Sequence, residues 1–258
     1  MLVSMKDMLQ HALRGGYAVG QFNINNLEWV GAVLSTAQQC RSPVILGGSG
    51  GTVKHMLGLK CIHDIVVNAM EYLHIDVPVA LHLDHGTSRE ACEAAIAAGF
   101  SSIMFDGSHL PFRENLAITR HLVTLAHSKG ISVEAELGTI AGSEDGIVNS
   151  EVIYADPQEC YTLVTETQVD CLAAALGSTH GLYKGKARLG FTEMKAIAEQ
   201  VKVPLVLHGG TGIADEDMRR AIACGTAKIN VNTENMYAWC QQVKAIFAAD
   251  TGHDVNDP

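Results

Sequence analysis

Short apolar runs alternate along the chain with longer amphipathic stretches. The runs AVGQFNI (18–24), SPVILGGS (42–49), VPVALHLDH (77–85) and SSIMFDGS (101–108) have the length and composition of strands. So do SVEAELG (132–138), CLAAALGS (171–178), PLVLHGG (204–210) and KINVNTE (228–234). Helical patterns lie between them. In SREACEAAIAAG, Thr87 or Ser88 can cap the start and Gly99 the end. Eight strands, each followed by a helical stretch, predict an α/β fold of the (β/α)8 TIM-barrel type. The opening SMKDMLQHALRGG reads as an extra N-terminal helix that closes the bottom of the barrel. With no low-complexity segment or interdomain linker, residues 1–258 read as a single barrel domain.

The pattern also repeats. Residues 77–103, VPVALHLDHGTSREACEAAIAAGFSSI, match 203–229, VPLVLHGGTGIADEDMRRAIACGTAKI, without a gap at an offset of 126. Val77/Val203, Pro78/Pro204, Leu81/Leu207, His82/His208, Gly86/Gly212, Ala95/Ala221, Ile96/Ile222, Gly99/Gly225 and Ile103/Ile229 agree. Similar packing demands on two βα units would explain some of this. The ungapped register favours a shared architecture of related half-barrels.

Composition narrows the picture. The chain is 47% hydrophobic with 5% aromatic residues, which suits a packed parallel sheet covered by helices. A net charge of −10 without a basic run excludes nucleic acid as the expected partner. A phosphorylated ligand would need a site built locally from backbone N–H groups. The seven cysteines are odd in number, form no C-x-x-C pair and read as reduced residues of a cytosolic protein. Lys6, Asp7 and Arg14 stand where a signal peptide would be apolar, and no run reaches transmembrane length. The expectation is a soluble cytoplasmic chain without a membrane partner.

Polar residues collect at the strand C-terminal ends, the active-site face of such barrels: Asn23, Asn25, Ser49, Asp84, His85, Asp106, Glu136, His180, His208, Asn230 and Asn232. Solvated loop residues would account for one or two of these. His85, His180 and His208 follow three different strands, and three neutral imidazoles with one open position are the donor set of catalytic zinc. A lone histidine there would read as a satisfied polar residue. On a regular strand His82 and Asp84 share one side and His85 the other, so Asp84 and His85 both serve a site only where the strand is ending. His82 then reads as supporting core and Asp84 as an acid/base. His11, His55, His63, His74, His121, His127 and His253 read as surface or helix residues, whereas His109 lies close to Asp106.

Glu134 and Glu136 share one face of the fifth strand and need a cation, a proton or an imidazole to be tolerable inside a barrel. Glu136 with Asp106 could form a second metal position or a shell that orients the histidines, and both readings stand. HGGTG (208–212) and NVNTE (230–234) follow the last two strands, where barrels often bind phosphate on backbone N–H groups and a helix N-terminus. GGSGG (47–51) is either a mobile connection or a phosphate loop that uses Ser49. The long polar stretch 138–157 reads as a lid, with Glu144 and Asp145 as acid/base candidates and solvated charge as the plainer role for Asp145.

In order along nearly the whole chain, GYAVGQFNINNLE, HLDHG, DGSHLPFREN, VEAELG, ALGSTHG, PLVLHGGTG and KINVNTE resemble the class II, zinc-dependent ketose-bisphosphate aldolases of the fructose-1,6-bisphosphate and tagatose-1,6-bisphosphate type. The resemblance implies His85, His180 and His208 as zinc ligands and Asp84 as the proton donor. It implies Asp106 and Glu136 at a second metal position, lid Glu144 as the base acting on the triose, and a monovalent cation. Dihydroxyacetone phosphate would be held by Gly181, Gly209, Gly210, Thr211, Asn230, Val231, Asn232 and Thr233, and the aldehyde product by Ser49. Family members commonly form homodimers or homotetramers. Two departures stand out: the lid reads Ala141-Gly142-Ser143 where the family usually has Gly-Gly then Gln or Glu, and DVNDP stands where the family continues with an arginine and a final helix. That arginine is expected to help bind the distal phosphate in a neighbouring subunit. GQFNINNLEW, DGSH and MYAW also resemble the relatives that cleave 6-phospho-5-dehydro-2-deoxygluconate.

Three rivals differ in what they need. A Schiff-base aldolase requires a desolvated lysine at the strand mouths, but Lys228 starts its strand and Lys184 lies in a loop. A metallohydrolase leaves the two phosphate-type loops without use. A non-catalytic sugar-phosphate-binding barrel would not need Asp84, three histidines and Glu144 together.

Overall fold

The computed structural model describes residues 1–144, 147–149, 153–181, 183, 185 and 187–249. In chain order the elements begin with α1 (Met5–Gly15), β1 (Val19–Asn23), α2 (Leu27–Cys40), β2 (Val44–Gly48), α3 (Gly50–His55) and α4 (Leu59–Tyr72). Next come β3 (Val79–Gly86), α5 (Arg89–Ala98), β4 (Ser102–Phe105), α6 (Phe112–His127) and β5 (Ser132–Leu137). They continue with β6 (Ala141–Glu144), β7 (Ile147–Asn149), α7 (Pro157–Thr167), β8 (Cys171–Ala174), β9 (Thr179–His180) and α8 (Phe191–Val201). The last are β10 (Leu205–Leu207), α9 (Asp215–Ala223), β11 (Thr226–Val231) and α10 (Thr233–Ala248).

Strands β1, β2, β3, β4, β5, β8, β10 and β11 are parallel and close into a barrel in that order, with β11 pairing back onto β1. These are the eight strands expected from the apolar runs, and the fold is a (β/α)8 barrel. Both faces of β2, β4 and β5 are buried, because helices cover the outside and the closed interior excludes water.

The apolar core has two parts. One fills the space between the sheet and the helices, around Leu34, Ile62, Leu81, Ile103 and Ile197. The other lies inside the barrel, where Val19, Ile45, Ala80, Met104, Cys171 and Val206 pack against Met5, Met8, Leu9 and Ala12 of α1. Helix α1 starts at Ser4, whose hydroxyl accepts the Lys6 N–H at 3.2 Å, and ends at Gly16 with φ 66°. The Val3 N–H reaches the first carbonyl of β3 at 2.9 Å, and the Met5 N–H reaches Ser132 Oγ at 3.0 Å. The opening segment is therefore the expected plug at the N-terminal end of the barrel. Truncating the fully buried Leu9 to Ala would cost about 2–5 kcal/mol.

Above this apolar layer the interior turns polar by the period-two alternation of each strand. Ala80 is followed inward by His82 and Asp84, Val19 by Gln21 and Asn23, and Val206 by His208. The stretch expected to be a long loop contains strands instead: β6 pairs antiparallel with β7 and parallel with β9. Asp145-Gly146, between β6 and β7, is a dipeptide that favours tight hairpins; it lies outside the described residues, as do parts of the proposed lid. Among the described residues no helix is long and apolar enough to cross a membrane.

Candidate active site

The end of β3 departs from a regular strand. His85 has φ 48°, and the pairing with β4 shifts register between Leu83 and Gly86. This bulge re-aims one side chain, so that Asp84 and His85 both serve the barrel mouth although they are neighbours in sequence. Asp84 is almost fully buried. Asn23 Nδ2 donates to its Oδ2 at 3.2 Å and Asn230 Nδ2 to its Oδ1 at 3.3 Å. Burial pushes the Asp84 carboxyl up, but the His85 and His208 rings and Lys228 more than offset this, so it titrates well below the usual carboxylate range.

His85, His180 and His208 converge. One ring nitrogen from each lies within 4.8 Å of the others, and His85 Nε2 stands 3.0 Å from His208 Nδ1. Zinc–nitrogen bonds of about 2.0–2.1 Å in a tetrahedron place ligand nitrogens roughly 3.4 Å apart, so the donor set suits one ion. His180 comes from β9, which is held by its pairing with β6. His208 directly follows β10. Its Nε2 meets Glu134 Oε1 at 2.9 Å, which leaves Nδ1 for the group. Burial drives the His208 pKa down, in the direction of the neutral imidazole that a metal needs.

His85 is oriented in the same manner. Its Nδ1 lies 2.8 Å from Asp106 Oδ2 and 3.7 Å from Glu136 Oε2. Ser108 donates to Asp106 Oδ1 from its backbone N–H at 3.1 Å and its hydroxyl at 2.6 Å. Burial raises the Asp106 pKa, and the hydrogen bonds from His85 and Ser108 bring it well below the usual range. His85, Asp106 and Glu136 also form a second group whose ligand atoms lie within 4.8 Å of one another. A neutral imidazole has one lone pair, so His85 Nδ1 can donate to Asp106 or bind a second ion, but not both at once. His109, beside Asp106 in sequence, is exposed.

A cavity of about 250 Å³ opens beside the histidines. It is lined by Asn23, His180, Gly181, His208, Gly209, Thr211, Asn230, Asn232, Thr233 and Met236. The start of α10 faces it with the N–H groups of a helix N-terminus, an anion-binding arrangement. Thr211 Oγ1 accepts the Glu234 N–H at 3.2 Å and fixes that helix start to the turn after β10. Gly209 has φ 63°, and a Cβ there would stand 2.2 Å from the Thr179 carbonyl oxygen. Glycine thus lets this turn press against the segment that carries His180. Tyr183 Oη clamps the same contact, accepting from Thr179 N–H at 3.1 Å and donating to Gly209 O at 3.0 Å.

Most of the residues expected at the site meet there. Gly210 and Val231 do not line the cavity, and the Gly210 N–H is taken by the Asn230 carbonyl at 2.9 Å. Ser49 is buried as the N-cap of α3, accepting the Thr52 N–H at 3.5 Å, and is not in the cavity wall. Of Glu144 the structure describes the place at the end of β6; its side chain and Asp145 lie outside the described residues. Sequence reasoning missed the clamp by Tyr183, the anchoring of Asp84 by two asparagines, and the partners of Glu134. The last include Lys228 at 2.7 Å, fully buried in the barrel. Inward alternation on β11 was the signal that could have placed Lys228 beside Asn230. A larger, mostly apolar groove of about 570 Å³ between α2 and α10, lined by Phe22, Trp29 and Trp239, holds none of these residues.

A parallel (β/α)8 barrel with three histidines, a buried acid and an anion cradle at one mouth is the architecture of a barrel enzyme whose mouth offers a metal-ligand set. Comparison with known proteins makes this specific: the model of the class-II fructose-bisphosphate aldolases matches residues 3–258, and the chain belongs to that family. It is 57% identical over 257 residues to the fructose-bisphosphate aldolase of Geobacillus stearothermophilus, covering 100% of this chain and 89% of the relative. It is 54% identical, with the same coverage, to that of Staphylococcus aureus. Among solved structures, the YdjI aldolase of Escherichia coli superposes with a TM-score of 0.85 at 35% identity, covering 97% of this chain and 88% of the other. A fructose-1,6-bisphosphate aldolase described as putative, from Coccidioides immitis, gives 0.82 at 32% identity, covering 92% and 84%.

Proposed function

We propose that this aldolase cleaves fructose 1,6-bisphosphate reversibly to dihydroxyacetone phosphate and glyceraldehyde 3-phosphate, with zinc held by His85, His180 and His208. The observation that carries the reading is the convergence of the three imidazoles beside a buried, doubly anchored Asp84 and a helix N-terminus. The named relatives at 57% and 54% identity favour fructose bisphosphate over the tagatose and deoxygluconate alternatives. Zinc, when bound, withdraws electron density from the ketone and adjacent hydroxyl oxygens and stabilises the negative charge left by carbon–carbon cleavage.

The chain's own residues supply the rest. Asp84 takes the proton from the C4 hydroxyl in cleavage and returns it in condensation, with Asn23 and Asn230 fixing the carboxylate for that transfer. Glu144 protonates the triose carbon. Gly181, Gly209 and Thr211, together with Asn232 and Thr233 at the start of α10, cradle the triose phosphate. Asp106 and Glu136 serve either a second divalent ion or the orientation of His85, while a monovalent cation belongs near the phosphate.

We extend the reading to a single-domain protein that acts as a homodimer or homotetramer in the cytoplasm. Sedimentation tests the assembly. The reaction is tested by following dihydroxyacetone phosphate release from fructose bisphosphate, tagatose bisphosphate and 6-phospho-5-dehydro-2-deoxygluconate in parallel. Loss of activity with a chelator and recovery with zinc are expected; activity that survives complete metal removal would refute the metal reading.

A further inference from the structure

Deep in the barrel, below the histidine group, lies an ion pair that no step above uses. Lys228 Nζ donates to Glu134 Oε2 at 2.7 Å, and both side chains are fully buried. A buried ion pair is weak grounds for stability, since apolar residues of the same volume often serve as well. The pair therefore calls for another role, and the second oxygen of the carboxylate indicates one. Glu134 Oε1 stands 2.9 Å from His208 Nε2. An ionised carboxylate only accepts hydrogen bonds, so His208 must carry its proton on Nε2 and its lone pair on Nδ1. Nδ1 is the atom 3.0 Å from His85 Nε2.

We infer that Lys228 and Glu134 are positioning residues: they hold His208 in the Nε2–H tautomer and aim Nδ1 at the metal site. Lys228 occupies Oε2, which leaves Oε1 as the acceptor for the imidazole. His82, the other ring near this carboxylate, is 3.6 Å from Oε2 and has its own partner in Ser102 at 2.8 Å. The contact with His208 is therefore the one that sets a tautomer. The inference rests on the proposed three-histidine zinc site, and its test separates the two.

The test pairs zinc affinity of the metal-free protein, measured by competition with a chromophoric chelator, with two-bond proton–nitrogen spectra of the His208 ring. In the wild-type metal-free protein the spectra should show the Nε2–H tautomer; the Nδ1–H form would overturn the inference whether or not any variant folds. Glu134→Leu combined with Lys228→Met removes both charges and the acceptor. Zinc affinity should then fall about 10–100-fold in the folded variant. Glu134→Gln with Lys228→Met restores a neutral acceptor oxygen and should recover part of the loss. Unchanged affinity in the first variant, or equal losses in both, would overturn the inference. His180→Ala serves as the control: unchanged zinc affinity there would refute the three-histidine site, while the tautomer still decides the role of Glu134.

Discussion

The two matching units of the barrel, 77–103 and 203–229, start alike and end differently. Helices α5 and α9 begin at equivalent residues, Arg89 and Asp215, and both units turn at a glycine of positive φ, 98° at Gly99 and 106° at Gly225. Their aligned histidines, His82 and His208, both point into the barrel and approach the same carboxylate, Glu134. Yet β3 runs on for four residues past His82, whereas His208 already stands beyond the end of β10. The first unit brings its histidine to the mouth three residues later, through the bulge at His85. Equivalent sequence positions thus occupy different depths of one barrel, and strand length past the shared pattern sets which histidine reaches the mouth.

The largest expected effect separates those histidines. His208→Ala should reduce zinc binding and cleavage to background. His82→Ala should keep zinc while removing the hydrogen bond to Ser102, which keeps its other bond to the Ser132 carbonyl, and that lost bond should cost about 0.5–1.5 kcal/mol in chemical denaturation. Zinc loss in the His82 variant instead would break the comparison. Asp84 is next, since its counterpart at the offset of 126 is Gly210 and cannot share its role. Asp84→Asn should lower kcat about 10²–10⁴-fold in the cleavage assay while the protein stays folded.

Acid sensitivity sharpens the contrast further. Burial first, then Lys228, pushes His82 from 6.5 down to about 3 in the folded protein. The unfolded chain then binds the extra proton between these values, so stability is full above about pH 6.5 and falls as pH drops towards about 3. His82→Gln should flatten that limb by up to about 1.4 kcal/mol per pH unit, read from melting temperatures between pH 6.5 and 4. An unchanged slope would mean that His82 titrates normally. The smallest effect concerns the helix starts. Ser88 Oγ accepts the Ala91 N–H at 3.1 Å, while Ala214, its counterpart, offers no side-chain cap. Ser88→Ala should cost about 1 kcal/mol, and Ala214→Ser should gain up to a similar amount.

The strands and the opening helix were legible because their patterns depend on neighbours in the chain, and the three histidines stood out because each follows one of the apolar runs. Alternation of two along VALHLD, the Ser88 cap and the Gly99 stop are local signals that tertiary contacts reinforce rather than reverse. The hairpin of β6 and β7 was hidden inside a polar stretch that lacks a strand's apolar alternation. Ser49 shows the other limit: a serine among glycines suits an anion loop or a helix cap equally, and the structure uses it as the cap of α3.

Residue order was therefore sufficient for the barrel and for which residue types crowd its C-terminal mouth, since strand period and helix capping act over a few residues. It left open which nitrogen of His208 faces the site, why Asp84 and His85 can work side by side, and what neutralises Glu134. Those outcomes depend on a bulge at the end of β3 and on Lys228 of β11 meeting Glu134 of β5, 94 residues away, in the barrel interior. Closing a sheet brings distant strands within hydrogen-bond reach at matched depth, a relation that shear and strand length set across the whole barrel.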